Sequence, residues 1–268
     1  MEIYHFSGAV NNFVVIDGRE GDVSAFREVA TIEALCKEHK TDGLMILGSG
    51  DAEVDFVMEF YNPDGSGGMM CGNGGRCIVA FADYLGIKPS CHPELAEGSY
   101  LFRAPDGLHT GEILGRPEED LWEVRIKMID VQGITPMLGG YFLNTGTRHF
   151  VKFVEDVEQV DIDTEGKALR WHEAFAPVGT NVNFVHIAPD GLHVRTFEKG
   201  VEGETLACGT GLTACALVAH HAGVPAPAPG AYRLRARQDW LSVNFTPGAD
   251  EKFTDVYLTG PARLVEIL

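Results

Sequence analysis

The sequence predicts an α+β fold of two pseudo-symmetric lobes, each a β-rich roll wrapped on one helix. Three observations carry that reading. Strand-like alternation dominates the chain, as in Asp55-Phe56-Val57-Met58-Glu59-Phe60, where every second residue is apolar. Helical patterns are few, and two of them follow glycine-rich loops that open with a cysteine, Cys71-Gly72-Asn73-Gly74 and Cys208-Gly209-Thr210-Gly211. The spacing around these loops repeats: Gly8 precedes Cys71 by 63 residues and Gly146 precedes Cys208 by 62, while Phe60 and Phe197 each stand 11 residues before their cysteine. A shared order at near-equal spacing marks an internal duplication.

Taken in order, short strands are expected at residues 14–16, 44–47, 55–60, 122–128, 150–154, 181–187, 192–197, 232–237, 241–245, 256–258 and 264–267. Turn residues such as Asn62-Pro63-Asp64-Gly65 and Pro189-Asp190-Gly191 separate several of them. One helix is expected over residues 23–38, with Asp22 as its N-cap. The first cysteine loop runs into a helix that Gly86 is placed to end, and the second runs into Ala216-Leu217-Val218-Ala219. The lobes are expected to be residues 1–120 and 121–261, with a last strand near 262–268 returning to the first lobe because chain termini often meet in space.

The composition is that of a globular protein, with 45% hydrophobic and 22% charged residues in a chain of 268. Lys and Arg number 21 against 39 Asp and Glu, a net charge of −18 that repels nucleic acid and anionic membrane surfaces. No apolar run reaches the roughly 18 to 20 residues of a membrane helix, and the first residues lack a basic and then apolar leader. Six cysteines at this length do not form a disulfide scaffold, so a reducing, cytoplasmic setting is expected.

A Cys-Gly-x-Gly segment opening a helix puts a thiol beside backbone N–H groups that have no intrahelical acceptor, and glycine lets a ligand approach them. Such a place binds anions, and the positive end of the helix favours thiolate. If the duplicated halves pack symmetrically, a carboxylate held between the two helix ends would have a thiol on either side. That suits inversion at a carbon: one thiolate removes the α-proton from one face and the other thiol protonates the opposite face. Helix N-termini supply donors for the charge that develops on the carboxylate, so neither metal nor another cofactor is expected. Cys36, Cys77, Cys91 and Cys215 read instead as small buried hydrophobes. His149, His172, His220 and His221 stand in no CxxC or HExxH spacing, and no P-loop or dinucleotide fingerprint occurs.

The motifs Asn11-Asn12-Phe13, Tyr61-Asn62-Pro63-Asp64-Gly65-Ser66, Met70-Cys71-Gly72-Asn73-Gly74-Gly75-Arg76-Cys77, Asn181-Val182-Asn183-Phe184, Glu204-Thr205-Leu206-Ala207-Cys208-Gly209-Thr210-Gly211 and Leu258-Thr259-Gly260-Pro261 resemble those of the diaminopimelate epimerases. These are amino-acid racemases that work without pyridoxal phosphate. The resemblance runs from Phe6 almost to the last residue. It implies two lobes, each a β-barrel around a central helix, a small amino-acid substrate, a homodimer, and a place in lysine and peptidoglycan precursor synthesis. Carried over, Cys71 and Cys208 are the acid/base pair, Gly72, Asn73, Gly209 and Thr210 hold the reacting carboxylate, and His149 and Glu198 tune the cysteines. Asn11, Asn62, Asn181, Glu198 and Lys199 are implied substrate contacts.

Departures from the family pattern fall at the distal end. Thr147-Arg148 stands where Asn-Pro is usual, Lys199 where arginine is usual, an extra residue follows near Glu202, and Asn12 replaces a common aspartate. Lysine offers a point charge where arginine offers a fork. Thr147 and Arg148 are therefore added to the substrate-binding candidates, with Arg148 expected to supply the guanidinium that Lys199 lacks. The alternative function is racemisation of another amino acid on the same fold.

Overall fold

In the computed structural model, residues 1–68, 70–90, 95–96 and 98–268 are described. Two units divide the chain, residues 1–126 with 260–268 and residues 127–259. The first contains β1 (Ile3–Gly8), β2 (Asn11–Asp17), α1 (Val29–His39), β3 (Leu44–Ser49), β4 (Phe56–Tyr61), α2 (Gly72–Tyr84), β5 (Ser99–Ala104), β6 (Gly107–Glu118) and β7 (Leu121–Lys127). Pairing is antiparallel for β1/β2, parallel for β2/β3, antiparallel for β3/β4, parallel for β4/β5, then antiparallel for β5/β6 and β6/β7. An eighth strand, residues 260–267, pairs antiparallel with β7 on one side and β1 on the other. The barrel thereby closes and leaves no open edge.

Inside it lies α2, whose residues Gly72 to Ala82 are all buried. A helix enclosed on every side cannot be amphipathic, and here small residues admit the barrel wall. A Cβ on Gly8 would lie 2.7 Å from the Asn73 carbonyl oxygen and 2.8 Å from Cys77 Sγ, and one on Gly111 would lie 2.6 Å from Val79. Phe6, Phe81, Tyr4, Tyr84 and Trp122 fill the far end as a chain of edge and tilted ring contacts, and the Trp122 indole donates to Asp83 at 2.9 Å. Gly86, at φ 73°, ends the helix with bonds from Gly86 N to Asp83 and from Ile87 N to Ala82.

The second unit repeats the plan. It contains β8 (Val131–Gln132), β9 (Thr135–Met137), β10 (Gly140–Asn144), β11 (Arg148–Phe153), α3 (Lys167–Arg170), β12 (Asn181–Ala188), β13 (Gly191–Glu198), β14 (Gly203–Thr205), α4 (Gly209–His221), β15 (Ala231–Arg235), β16 (Trp240–Pro247) and the first part of β17 (Lys252–Ile267). Its pairing runs antiparallel for β10/β11, parallel for β11/β12, antiparallel for β12/β13, parallel for β13/β15, then antiparallel for β15/β16 and β16/β17. This is the order of the first unit, strand for strand. The short strands β8 and β9, paired with β17 and β10, bridge the remaining gap. The enclosed helix is α4, buried at Gly209 and from Gly211 to Ala219.

Three expectations are corrected. The helix expected over residues 23–38 is a 3-10 turn at Ser24–Arg27 followed by α1, because Glu28 is extended and breaks the run. Asp22 caps the turn through Ser24 N at 2.9 Å, not the helix. The strands expected at 256–258 and 264–267 are one continuous strand, β17. The unit boundary falls after Ile126 and not at 120/121, because β7 pairs with β6 and with residues 260–263 of the first unit.

Gly8 and Gly115 predict opposite outcomes for the same substitution. Gly8→Ala forces a methyl against helix backbone and should lower stability by about 1–3 kcal/mol. Gly115→Ala, which meets nothing within 4 Å, should stay within about 0.5 kcal/mol. Thermal unfolding of the two variants checks the pair.

Candidate active site

Each enclosed helix begins at its cysteine. Cys71 is the N-cap of α2, with extended backbone (φ −102°, ψ 150°), and its Sγ accepts the Gly74 N–H at 3.2 Å while its carbonyl takes Gly75 N at 2.7 Å. Cys208 is the N-cap of α4 (φ −122°, ψ 105°), and its carbonyl takes Leu212 N at 2.9 Å. Neither helix has an acidic residue in its first turn, so the positive end of each dipole is not neutralised from within. Glycine at the third position after the cysteine is tightly packed in both, and at Gly211 a side chain would force its neighbour to move. A Cβ at Gly74 would lie 3.2 Å from Cys71 Sγ, and one at Gly211 would lie 3.3 Å from Cys208 Sγ and 2.4 Å from the Asn183 side-chain oxygen.

In the first unit the residue after Gly72 turns away from the sulfur. Asn73 donates to Asn11 Oδ1 and accepts from Arg76 Nη2 at 2.8 Å. Arg76 is wholly buried, and its other donors reach the carbonyls of Gly72 at 3.2 Å and Pro261 at 3.3 Å. Cys71, Gly72, Asn73 and Asn11 thus form one connected group. Asn62 is held in its own turn, donating to Ser66 Oγ at 3.0 Å.

In the second unit the corresponding residue, Thr210, faces the sulfur, with 3.6 Å between its Oγ1 and Cys208 Sγ. The same hydroxyl lies 3.0 Å from His149 Nε2, and His149 Nδ1 lies 3.0 Å from Asn183 Nδ2. Thr196 Oγ1 is 3.0 Å from Asn183 Oδ1, and Thr145 pins the Thr210 carbonyl at 2.9 Å. A second group surrounds Asn181. It donates to the Arg148 carbonyl at 3.0 Å, lies 3.5 Å from Thr147 Oγ1, and accepts the Lys199 N–H at 2.8 Å. Arg148 stacks on Phe142 at 5.1 Å and spends one donor on the Phe175 carbonyl at 3.2 Å. Glu198 accepts from Thr205 Oγ1 at 2.8 Å. Glu202 receives the buried Arg170 at 2.9 Å, which ties down the loop after Lys199.

The electrostatics mark three of the cysteines as structural. Burial pushes the thiols of Cys36, Cys77 and Cys215 up, so they stay neutral and pack as hydrophobes. Cys91 lies outside the described residues. His149 has no exposed surface, and burial pushes its pKa down to about 3, with the Lys199 ammonium adding to the depression. It is a neutral imidazole throughout the physiological range. His220 and His221 lie at the far end of α4, where His220 meets Phe245 and His221 pairs with Glu251 at 2.9 Å. Among the described residues no group of three or more His, Cys, Asp or Glu converges as a metal would require, and no helix is long and apolar enough to cross a membrane.

Four residues of these networks, Arg76, Thr145, Asn183 and Thr196, escaped the reading of the sequence. Arg76 had a signal: a cation inside an otherwise small and apolar helical run. The other three had none, since a threonine or asparagine on a strand is most often a surface residue.

Two barrel-on-helix units, each with a cysteine at the start of its enclosed helix, define an isomerase of the epimerase type. A family model described as diaminopimelate epimerase matches residues 141–265. The diaminopimelate epimerase of Chlorobaculum tepidum is 38% identical over 97% of this chain and 97% of its own length. That of Flavobacterium psychrophilum is 35% identical, covering 99% of this chain and 98% of its own. The chain belongs to the diaminopimelate epimerase family. A phenazine biosynthesis protein of the PhzF family from Bacillus anthracis shares the fold, with a TM-score of 0.72 at 11% identity over 100% of this chain and 98% of that one.

His149 makes stability depend on acid. The unfolded chain takes a proton on this group below about pH 6.5, whereas the folded chain refuses it until about pH 3. Stability is therefore complete above 6.5 and falls by about 1.4 kcal/mol per pH unit as pH drops through that window. Denaturant titrations from pH 7 to 4 should show this slope, and His149→Gln should flatten it.

Proposed function

We propose that the protein interconverts LL- and meso-diaminopimelate by proton transfer at the α-carbon, with Cys71 and Cys208 as the two bases. The observation that carries the reading is the pair of matched helix caps, each placing a thiol at a helix N-terminus whose first turn has no acidic side chain. In one direction a cysteine thiolate takes the α-proton: an S–H bond forms, the Cα–H bond breaks, and the electron pair moves into the α-carboxylate. The other thiol then protonates the opposite face and is left as thiolate. In the reverse direction the roles exchange. The reading requires both thiols to bear on one α-carbon.

The charge that develops on the carboxylate is met by backbone N–H groups of Gly72, Asn73, Gly209 and Thr210, which lie in first turns with no intrahelical acceptor. These donors are fixed before the substrate arrives, and the scheme asks for no cofactor. His149 and Glu198 are assigned to tuning the cysteines. Asn11, Asn62, Asn181, Glu198 and Lys199 are assigned to the amines and distal end of the substrate, together with Thr147 and Arg148. The named relatives, matched over nearly the whole chain, leave racemisation of a different amino acid with less support. The setting proposed is a reducing cytoplasm, where two working thiols keep their protons in play, in lysine and cell-wall precursor synthesis. A homodimer is part of the proposal and rests on the family resemblance.

The first test is α-proton exchange in deuterated water under reducing conditions, with both diaminopimelate isomers beside histidine, glutamate and lysine. Exchange should occur with diaminopimelate and fall by at least about 10²–10⁴-fold in each of Cys71→Ala and Cys208→Ala. Exchange confined to another amino acid would move the substrate assignment. Exchange that survived either substitution would remove the two-base mechanism.

The distal end gives a separate expectation. Lys199→Ala and Arg148→Ala should each raise KM for diaminopimelate about tenfold or more with a smaller change in kcat, because uniform binding is lost. Steady-state kinetics decide, and an unchanged KM in Arg148→Ala would return that residue to its packing against Phe142 and Phe175.

A further inference from the structure

The two helix caps differ in the side chain two residues after the cysteine. In the first unit it is Asn73, committed to Asn11 and Arg76, and the Cys71 sulfur receives a backbone N–H from Gly74. In the second it is Thr210, which stands between the Cys208 sulfur and His149. Which way the protons point along that line is decided further back, at Asn183.

Asn183 Nδ2 lies 3.1 Å from the Phe150 carbonyl, which can only accept. That contact fixes the amide: its nitrogen faces Phe150 and His149, and its oxygen faces Thr196 Oγ1 at 3.0 Å. One amide hydrogen goes to Phe150 and the other to His149 Nδ1, so Nδ1 must be the unprotonated nitrogen of the neutral ring. The ring proton then sits on Nε2 and is donated to Thr210 Oγ1 at 3.0 Å. With one lone pair of that oxygen taken by histidine, its hydroxyl proton is available to Cys208 Sγ, 3.6 Å away, and a thiolate there, having no proton of its own, can only accept it. Every donor from Thr196 onward points toward the sulfur.

We propose that Asn183 and Thr210 are positioning residues for Cys208: Asn183 sets the tautomer of His149, and Thr210 converts that tautomer into a hydrogen bond donated to the sulfur, which favours thiolate. The other ionisable groups bearing on this line are Lys199, whose ammonium adds to the burial that keeps His149 neutral, Glu198 beside Lys199 in sequence, and Cys215, a neutral buried thiol. This inference rests on Cys208 being one of the two bases, yet its test needs no substrate or turnover, so the two ideas fail separately.

The test is the pH profile of iodoacetamide alkylation at Cys208, mapped by peptide mass in a Cys71→Ala background so that a single loop thiol titrates. Thr210→Val should move the midpoint upward and slow alkylation at pH 7 about tenfold, the scale of losing one hydrogen bond to a charged acceptor. Thr210→Ser should restore the original profile. A Thr210→Val profile that coincides with the parent would overturn the proposal. Because the substitution also changes packing at the cap, nitrogen NMR of the unsubstituted protein gives an independent reading. His149 should show a protonated Nε2 and an unprotonated Nδ1 at neutral pH, and the opposite tautomer would overturn the assignment of Asn183.

Discussion

Everything at the site depends on enclosing a whole helix inside a closed barrel. Such a helix has little solvent-facing side, so most of its residues are small or apolar, and its N-terminal turn is where its backbone chemistry is accessible. There the backbone offers N–H groups without intrahelical acceptors. A cysteine at the cap joins a nucleophilic atom to that array without any charged neighbour in the first turn. The glycines that follow belong to the same constraint, since side chains at Gly74 and Gly211 would press on the sulfur they flank.

Enclosure also explains why the buried polar residues are so few and so fully engaged. Arg76 sits with no exposed surface inside the first barrel, and its three directions of donation meet Asn73, Gly72 and Pro261. In the second barrel the same need is met by neutral groups: Thr196, Asn183, His149 and Thr210 satisfy one another in a row. A cation in one unit and an uncharged line in the other are two solutions to one packing problem.

The repeat was legible because a duplicated barrel leaves a mark at fixed spacing, and because cysteine next to glycine at a helix start is rare enough to be noticed twice. Cys71 and Cys208 were found by that route, whereas Asn73 and Thr210 came with the family resemblance. The strands β1, β5 and β6 were not, since Tyr4, His5 and Ser7 or the glycines of β6 blur the alternation of period two. Asn183 was quoted only as part of a motif: its importance comes from reaching His149 diagonally across a parallel strand pair, a neighbour relation that β11 and β12 create and that no local spacing reveals. Residues 23–38 misled for a different reason. Their helical period is real, but one extended residue, Glu28, is enough to split the run.

The first barrel takes its eighth strand from the last residues of the chain, 260–267. During synthesis the N-terminal half emerges first but stays open between β1 and β7 until the C-terminal segment leaves the ribosome. The second barrel has all of its strands earlier. The order of completion is thus the reverse of the order of translation, and a nascent chain stalled before residue 260 presents two unpaired strand edges to the chaperones and proteases around it.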